Sequence, residues 1–372
     1  MTAQPARLDR IRALLAEHDS NALALTPGPS LTYLTGHAFP QGDRLTVLFV
    51  PREGRPVAVV PNFEEANWRE FVHLDVALFG WDDTTGPAPA FEKAVAALGE
   101  LDTIAVEPLV LRAAELWRIE QSFPHARIAP GGGLIQALRL AKSEDELAAI
   151  REAARIAESA LEKLLSLVRV GVTERELAAK LSAFLFEGGG ESISFGPIVL
   201  SGPNSALPHG VPAPRPVGVG EILLIDFGTS VRGYHCDITR TFVVGAEPDA
   251  RTREVYEAVR LGNERGKAAA KPGATAHEVH HAAQDHLHKP AFHEFLKHRT
   301  GHGLGLDIHE PPSIMDGNHE RLAPGTVFTV EPGLYLEGWG GVRIEDDVVI
   351  TQSSHESLTL FSRDLRVVGR PL

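Results

Sequence analysis

One pattern occurs twice along this chain: a helix, a second helix opened by a capping sequence, and then two apolar strand-like arms with one acid in each. In the first copy the arms are Leu223-Leu224-Ile225-Asp226-Phe227-Gly228 and Tyr234-His235-Cys236-Asp237-Ile238-Thr239-Arg240-Thr241-Phe242, with Arg232-Gly233 between them. β-Branched and apolar residues on both sides of a short glycine-containing turn predict a β-hairpin. Side chains alternate along a strand, so Asp237, Thr239 and Thr241 share one face. A turn centred on Val231-Arg232 puts Asp226 opposite Asp237, roughly 5 Å apart at Cβ, where two bare carboxylates repel. Aspartates on hairpins are ordinarily solvated. These two sit inside apolar arms, where an uncompensated buried charge is costly, and a cation between them would reverse the sign of the interaction.

The second copy has arms over residues 327–334 and 342–350, joined through Gly338-Trp339-Gly340-Gly341, with Glu331 in the first and Glu345 in the second. Its helical signatures recur as well. Ser143 with Glu146, Thr173 with Glu176 and Thr275 with Glu278 are three capping boxes, the last two each two residues behind a glycine. Two such units packed about a pseudo-two-fold axis bring four carboxylates together. Without cations that cluster raises its own pKa values or unfolds; oxygen-rich ligation suits hard or borderline divalent ions, and four acids have capacity for two. His302, in Gly301-His302-Gly303-Leu304-Gly305-Leu306-Asp307-Ile308-His309-Glu310-Pro311, is the remaining candidate ligand. A lone histidine is more often packing or surface, but flanking glycines permit close approach and the nearby acids tip the balance. Arg343 lies two residues from Glu345 and shares its face, either balancing charge or orienting substrate. His209, in the loop over residues 201–210, reads on spacing alone as loop decoration.

Ahead of this repeat, strands are predicted over residues 21–25, 45–50, 56–60, 76–79 and 103–106, alternating with helical patterns such as 6–17 and 110–121, which implies a small α/β domain. The cluster Gly131-Gly132-Gly133 lacks the lysine and strand context of a nucleotide site and reads as a linker, giving domains over 1–130 and 134–372. The net charge of -13 argues against nucleic-acid or anionic-membrane partners. No apolar run approaches the ~18 residues of a membrane span, and the first residues show no signal peptide. The single cysteine, Cys236, allows no internal disulfide, so a cytoplasmic location is expected; pointing away from the Asp237 face, it reads as packing rather than a nucleophile. His277, His280 and His281 have the helical spacing of a zinc site, but no acid or cysteine completes a tetrahedral set, so they read as solvated.

Together these residues resemble the dinuclear metallopeptidases of the pita-bread fold, a family that holds methionine aminopeptidases, aminopeptidase P, Xaa-Pro dipeptidases (prolidases) and creatinase. Asp226, Asp237, His302, Glu331 and Glu345 match its five ligand positions in type and order. The framing motifs Asp237-Ile238-Thr239-Arg240-Thr241, Gly301-His302-Gly303-Leu304-Gly305, Val330-Glu331-Pro332-Gly333 and Val342-Arg343-Ile344-Glu345-Asp346 match too. Methionine aminopeptidases usually lack a front domain and creatinase lacks a complete metal set, so the Xaa-Pro branch is the similar one. The resemblance implies an α/β (α+β) protein: a small N-terminal α/β creatinase-like domain, then a C-terminal pita-bread domain with internal pseudo-two-fold symmetry. It implies two divalent ions, manganese first, with cobalt, zinc or iron as alternatives. Asp226 would chelate one, Asp237 and Glu345 would bridge both, and His302 with Glu331 would complete the second. Two metals sharing a water lower its pKa and make it a nucleophile at neutral pH. Glu331 would then act as general base and pass a proton to the prolyl nitrogen, His309 would stabilise the oxyanion, and His209 would contact the proline side. The implied activity is hydrolysis of Xaa-Pro dipeptides, with aminopeptidase P action on Xaa-Pro-Xaa peptides as the alternative. A non-catalytic pita-bread binding protein is the alternative from another class, although such proteins typically lose ligands. A homodimer is expected, in which the partner's front domain closes the pocket through Asp43 or Arg44 of the loop Gln41-Gly42-Asp43-Arg44.

Overall fold

The apolar runs at the front of the chain form a mixed sheet in the computed structural model, which describes residues 3–369. Its elements are α1 (Gln4–Glu17), β1 (Ala22–Leu25), α2 (Pro29–Thr35), β2 (Val47–Pro51), β3 (Val57–Pro61), α3 (Glu65–Phe71), β4 (Ala77–Trp81), α4 (Ala88–Leu98), β5 (Thr103–Val106), α5 (Ala113–Ser122), β6 (Arg127–Pro130) and α6 (Gly132–Arg139). The strand order is β4-β3-β2-β1-β5-β6. Strands β1, β2 and β3 are buried at every position, as their near-continuous apolar sequences require. Phe49, Phe91, Ile104 and Ile119 close the core between sheet and helices. The glycine cluster is not a linker. Gly131 donates its N–H to Val106 O at 2.8 Å and Gly132 opens α6, so the division between the two units of the chain falls after Arg139.

The second unit contains α7 (Glu144–Leu165), α8 (Glu174–Glu187), β7 (Ser192–Ile193), β8 (Ile198–Ser201), β9 (Ile222–Phe227), β10 (Thr229–Val231), β11 (Tyr234–His235), β12 (Ile238–Val244), α9 (Ala250–Ala269), α10 (Ala276–Gln284), β13 (Gly301–Gly303), β14 (Glu310–Ile314), β15 (Val327–Val330), β16 (Gly333–Leu336), β17 (Gly340–Arg343), β18 (Asp346–Ile350), β19 (His355–Ser357) and β20 (Val367–Val368). All three capping boxes form; in α8, for example, Thr173 N–H meets Glu176 Oε2 at 2.9 Å and Glu176 N–H meets Thr173 Oγ1 at 3.2 Å. The capping threonines also occupy equivalent places in the repeat. Thr173 bridges Pro216 and Thr275 bridges Arg321, each on the segment that leads into its hairpin. Leu161, Leu164 and Leu181 of α7 and α8 are fully buried against β9 and β12, each contributing about 1.5–3 kcal/mol of transfer free energy. Helix α10 packs Val279 against β14, β15 and β18 of its own half.

Both predicted hairpins are present, and each is interrupted midway: β9 and β12 continue as β10 and β11, while β15 and β18 continue as β16 and β17. The register of the first hairpin differs from expectation. Arg232 (φ 52) and Gly233 (φ 76) are both left-handed, the combination a two-residue type I′ turn requires. The turn is therefore centred one residue later, and Asp226 pairs with Thr239 instead of Asp237. Asp237 lies two residues along on the same face, so the acids are diagonal neighbours. The strand interruption is imposed at Gly228, where a Cβ would lie 1.9 Å from Cys236 O.

Candidate metal centre

The interruptions in the hairpins determine where the acids go, because the freed backbone groups bond to the other half of the unit. Glu345 N–H donates to Thr239 O at 3.1 Å and Asp237 N–H to Asp347 Oδ2 at 2.9 Å, while Glu331 N–H bonds within its own half to Thr300 O at 2.7 Å. The two hairpins are thereby stitched across the pseudo-two-fold. The ligand atoms of Asp237, His302 and Glu345 lie within 4.8 Å of one another, and all three residues are buried. Glu331 Oε1 lies 3.4 Å from His302 Nε2, and Asp237 Oδ2 lies 3.8 Å from it. His302 is carried by β13, where its glycine neighbours are required by backbone contact: a Cβ at Gly301 would lie 1.9 Å from Thr329 O, and one at Gly303 2.2 Å from Pro311 O.

The protonation pattern fits a cation. His302 Nδ1 lies 3.1 Å from Gly303 O, a group that only accepts, so Nδ1 carries the hydrogen and Nε2 turns its lone pair toward the carboxylates. Burial, then His309 beside it, pushes the ring down to about 3, which keeps it neutral and available for ligation. Burial, reinforced by the neighbouring carboxylates, pushes Asp237 and Glu345 well above the usual carboxylate range. Glu331 is pushed up to about 7, by burial first, with Asp226 adding to it and Arg343 opposing. Asp226 Oδ1 and Asp237 Oδ1 are buried without a hydrogen-bond partner among the described residues. Unpaired buried oxygens, a bare imidazole nitrogen and mutually repelling acids together make a donor set that a divalent ion satisfies.

Arg343 supports this set from one side. It is 2 % exposed and donates to Asp226 Oδ2 at 2.5 Å, to Thr239 Oγ1 at 3.1 Å and to Tyr335 Oη at 2.7 Å. Thr239 Oγ1 in turn donates to Glu345 Oε2 at 2.6 Å, so one guanidinium positions acids from both hairpins. Tyr335 was not anticipated from the sequence; its even spacing from Glu331 was the available signal, blurred by the strand break between them. Asp347 was also missed, although it alternates with Glu345 in an apolar strand. His309 stands edge-on to His302 with ring centroids 4.2 Å apart, on the exposed side of the site, and His209 is exposed on the loop before β9. In the front unit, Arg44 makes a two-pronged bond to Asp83 (2.8 and 2.7 Å), and the Asp43 carboxylate beside it is largely exposed.

Residues 148–352 match metallopeptidase family M24, and residues 7–141 match the creatinase/prolidase N-terminal domain. The chain belongs to the M24 metallopeptidases. It is 33% identical over 366 residues to an Xaa-Pro dipeptidase of Lactobacillus helveticus, covering 97% of this chain and 98% of that one. Among solved structures it is similar to a prolidase from Thermococcus sibiricus (TM-score 0.92, 33% identity, 99% and 100% of the two chains). It is also similar to an X-Pro aminopeptidase from Thermotoga maritima (TM-score 0.83, 31% identity, 94% and 98%). The fold is that of the family, with an N-terminal creatinase-like unit and a C-terminal pita-bread unit. M24 membership implies divalent metal ions, which accords with the donor set. No helix among the described residues is long and apolar enough to cross a membrane.

Proposed function

We propose that this M24 metallopeptidase hydrolyses the imide bond of Xaa-Pro dipeptides. The observation that carries the reading is the buried convergence of Asp237, His302 and Glu345, with Glu331 3.4 Å from His302 and Asp226 locked to Arg343. Asp226 would hold one ion, Asp237 and Glu345 both, and His302 with Glu331 the second; oxygen-rich ligation favours manganese. When bound, such a pair supplies Lewis-acid polarisation and an activated water. The chain's own groups do the rest. Glu331 takes a proton and returns it to the prolyl nitrogen, which as a tertiary amide leaves only when protonated. His309, on the open side of His302, donates to the carbonyl oxygen as charge develops there. His209 contacts the proline side, and Arg343, buried and fully engaged, acts as a positioning residue for Asp226 and Glu345.

The reading extends to a cytoplasmic homodimer, in which the front unit of one protomer serves dimerisation and closes the amino-terminal side of its partner's pocket. Asp43 is the better closing group, since a carboxylate suits a substrate ammonium and Asp43, though bonded to Arg44 at 3.1 Å, is far more exposed than Arg44, which Asp83 also holds. The test is kcat/KM, after chelation and reloading with manganese, for a dipeptide ending in proline beside a tripeptide with proline second. Dipeptide preference that collapses in Asp43→Ala supports the whole reading. Tripeptide preference makes the chain an aminopeptidase P, and hydrolysis of neither removes the peptidase assignment.

A further inference from the structure

Helix α10 carries His277 and His281 four residues apart and therefore on one face. Of the acids near them in sequence, Asp285 bonds the far nitrogen of His281, and the fold delivers another acid from the turn after β14. Asp316 Oδ1 lies 3.1 Å from His277 Nδ1 and 3.0 Å from His281 Nε2, and the three ligand atoms all fall within 4.8 Å of one another. An acid thus joins two of the histidines that the spacing left solvated, His277 and His281, whose side chains are still 32% and 42% exposed; it is 35 residues from His281 in sequence and is brought in by packing.

His281 is held between two carboxylates, Asp316 and Asp285, which raise its pKa through hydrogen bonds. Gly317 N–H donates to His277 Nδ1 at 3.2 Å, so that nitrogen is the unprotonated one, and Asp316 Oδ1 lies 3.1 Å from it. His281 Nδ1 meets Asp285 Oδ1 at 2.8 Å. In the neutral tautomer with its hydrogen toward Asp285, Nε2 turns a lone pair toward Asp316. Two imidazole nitrogens and a carboxylate oxygen converge, and a metal ion would take the place of the Gly317 hydrogen at His277 Nδ1 and of the proton that Asp316 and Asp285 draw onto His281. A carboxylate behind the far nitrogen is also the arrangement that orients metal-bound histidines. Ligand atoms on a tetrahedral zinc with bonds of about 2.0–2.1 Å stand roughly 3.3 Å apart, close to the two separations from Asp316, 3.1 and 3.0 Å. His319 shares this surface, its ring centroid 4.8 Å from that of His277.

We propose that His277, His281 and Asp316 form a second metal site, outside the peptidase centre, for a borderline transition-metal ion such as Zn2+, with Asp285 orienting His281 and His319 or water in the fourth position. Its imidazole-rich chemistry differs from that of the carboxylate-rich centre, so the two would select different metals. Occupancy would clasp α10 to the turn after β14 and stabilise the unit by mass action.

The test is equilibrium dialysis of the full-length protein against low-micromolar free Zn2+ at neutral pH, with zinc counted per chain. His277→Ala, His281→Ala and Asp316→Ala should each bind one zinc fewer than wild type. Manganese-supported peptidase activity should stay at the wild-type level in all three, since these partly exposed side chains lie outside the reacting site; that readout also shows the variants are folded. Co2+ loading should give a tetrahedral visible absorption component that the same variants lack. Retention of the wild-type zinc count by any of the three overturns the site. So does an equal count in all four proteins with His281 titrating above the usual histidine range, because a proton, not a metal, then joins Asp285 to Asp316.

Discussion

Asp346→Asn is the perturbation whose cost can be worked most directly from the structure. The Asp346 carboxylate is 1% exposed and holds two cations, Arg240 Nη2 at 2.7 Å and Lys267 Nζ at 2.5 Å, with Thr359 Oγ1 donating at 3.1 Å. Burial alone would push its pKa up, but Arg240 and Lys267 prevail and hold it down to about 2, from 3.8. A folded pKa below the unfolded one stabilises the protein above about pH 4, and that contribution is lost as pH falls through 2. The shift of about two units corresponds to roughly 2–3 kcal/mol. Asparagine costs more than protonation because, besides removing the counter-charge as a proton does, it turns an amide NH2 donor toward one of the two cations, and an uncompensated buried charge is worth about 3–5 kcal/mol. Lys267 relieves part of this by losing its proton, toward which burial already drives it; Arg240 has no such escape. We therefore expect a loss of about 3 kcal/mol near neutral pH, narrowing as pH rises and Lys267 neutralises. Urea unfolding followed by near-ultraviolet circular dichroism measures it, provided the m-value is unchanged. Since Arg240 also donates to Glu345 O at 2.5 Å, the variant should hold metal less tightly. A stability change below about 1 kcal/mol, or a deficit that widens with pH, would refute the reasoning.

Three further outcomes are expected. Gly303→Ala places a Cβ 2.2 Å from Pro311 O, a backbone atom that cannot step aside, so it should yield insoluble or metal-free protein, whereas Gly42→Ala, with nothing within 4 Å, should behave as wild type in expression and metal analysis. Cys236 is fully buried, and burial pushes its thiol up; a thiol reagent should find no reactive group in the native protein and one in urea, and rapid native labelling would contradict the packing. Arg343→Lys keeps the charge but cannot reach Asp226, Thr239 and Tyr335 together, so kcat/KM should fall at least about tenfold, or ~1.4 kcal/mol, with the fold retained; unchanged kinetics would remove Arg343 from the positioning role.

The parts legible in the sequence are those whose physics is local. Thr173 with Glu176 and Thr275 with Glu278 cap helices because hydrogen bonds three residues apart do so in any context, and the alternation in the two acid-bearing arms made them strands before any partner was known. Repetition of that unit disclosed the pseudo-two-fold, and hence the meeting of the acids. The details that failed lie where conformation or packing intervenes. One left-handed residue, Arg232, moved the turn and gave Asp226 the partner Thr239; the glycines at Gly131-Gly132-Gly133 were absorbed into a helix start rather than a linker. The sequence by itself determined the elements, their repetition and the chemistry of the acid set. Only the tertiary structure decided that Arg343 finds Tyr335 and Asp226, that Asp346 answers Arg240 and Lys267, and that Asp316 meets His277 and His281, because such pairings depend on which faces of distant elements pack together and leave no periodic trace along the chain.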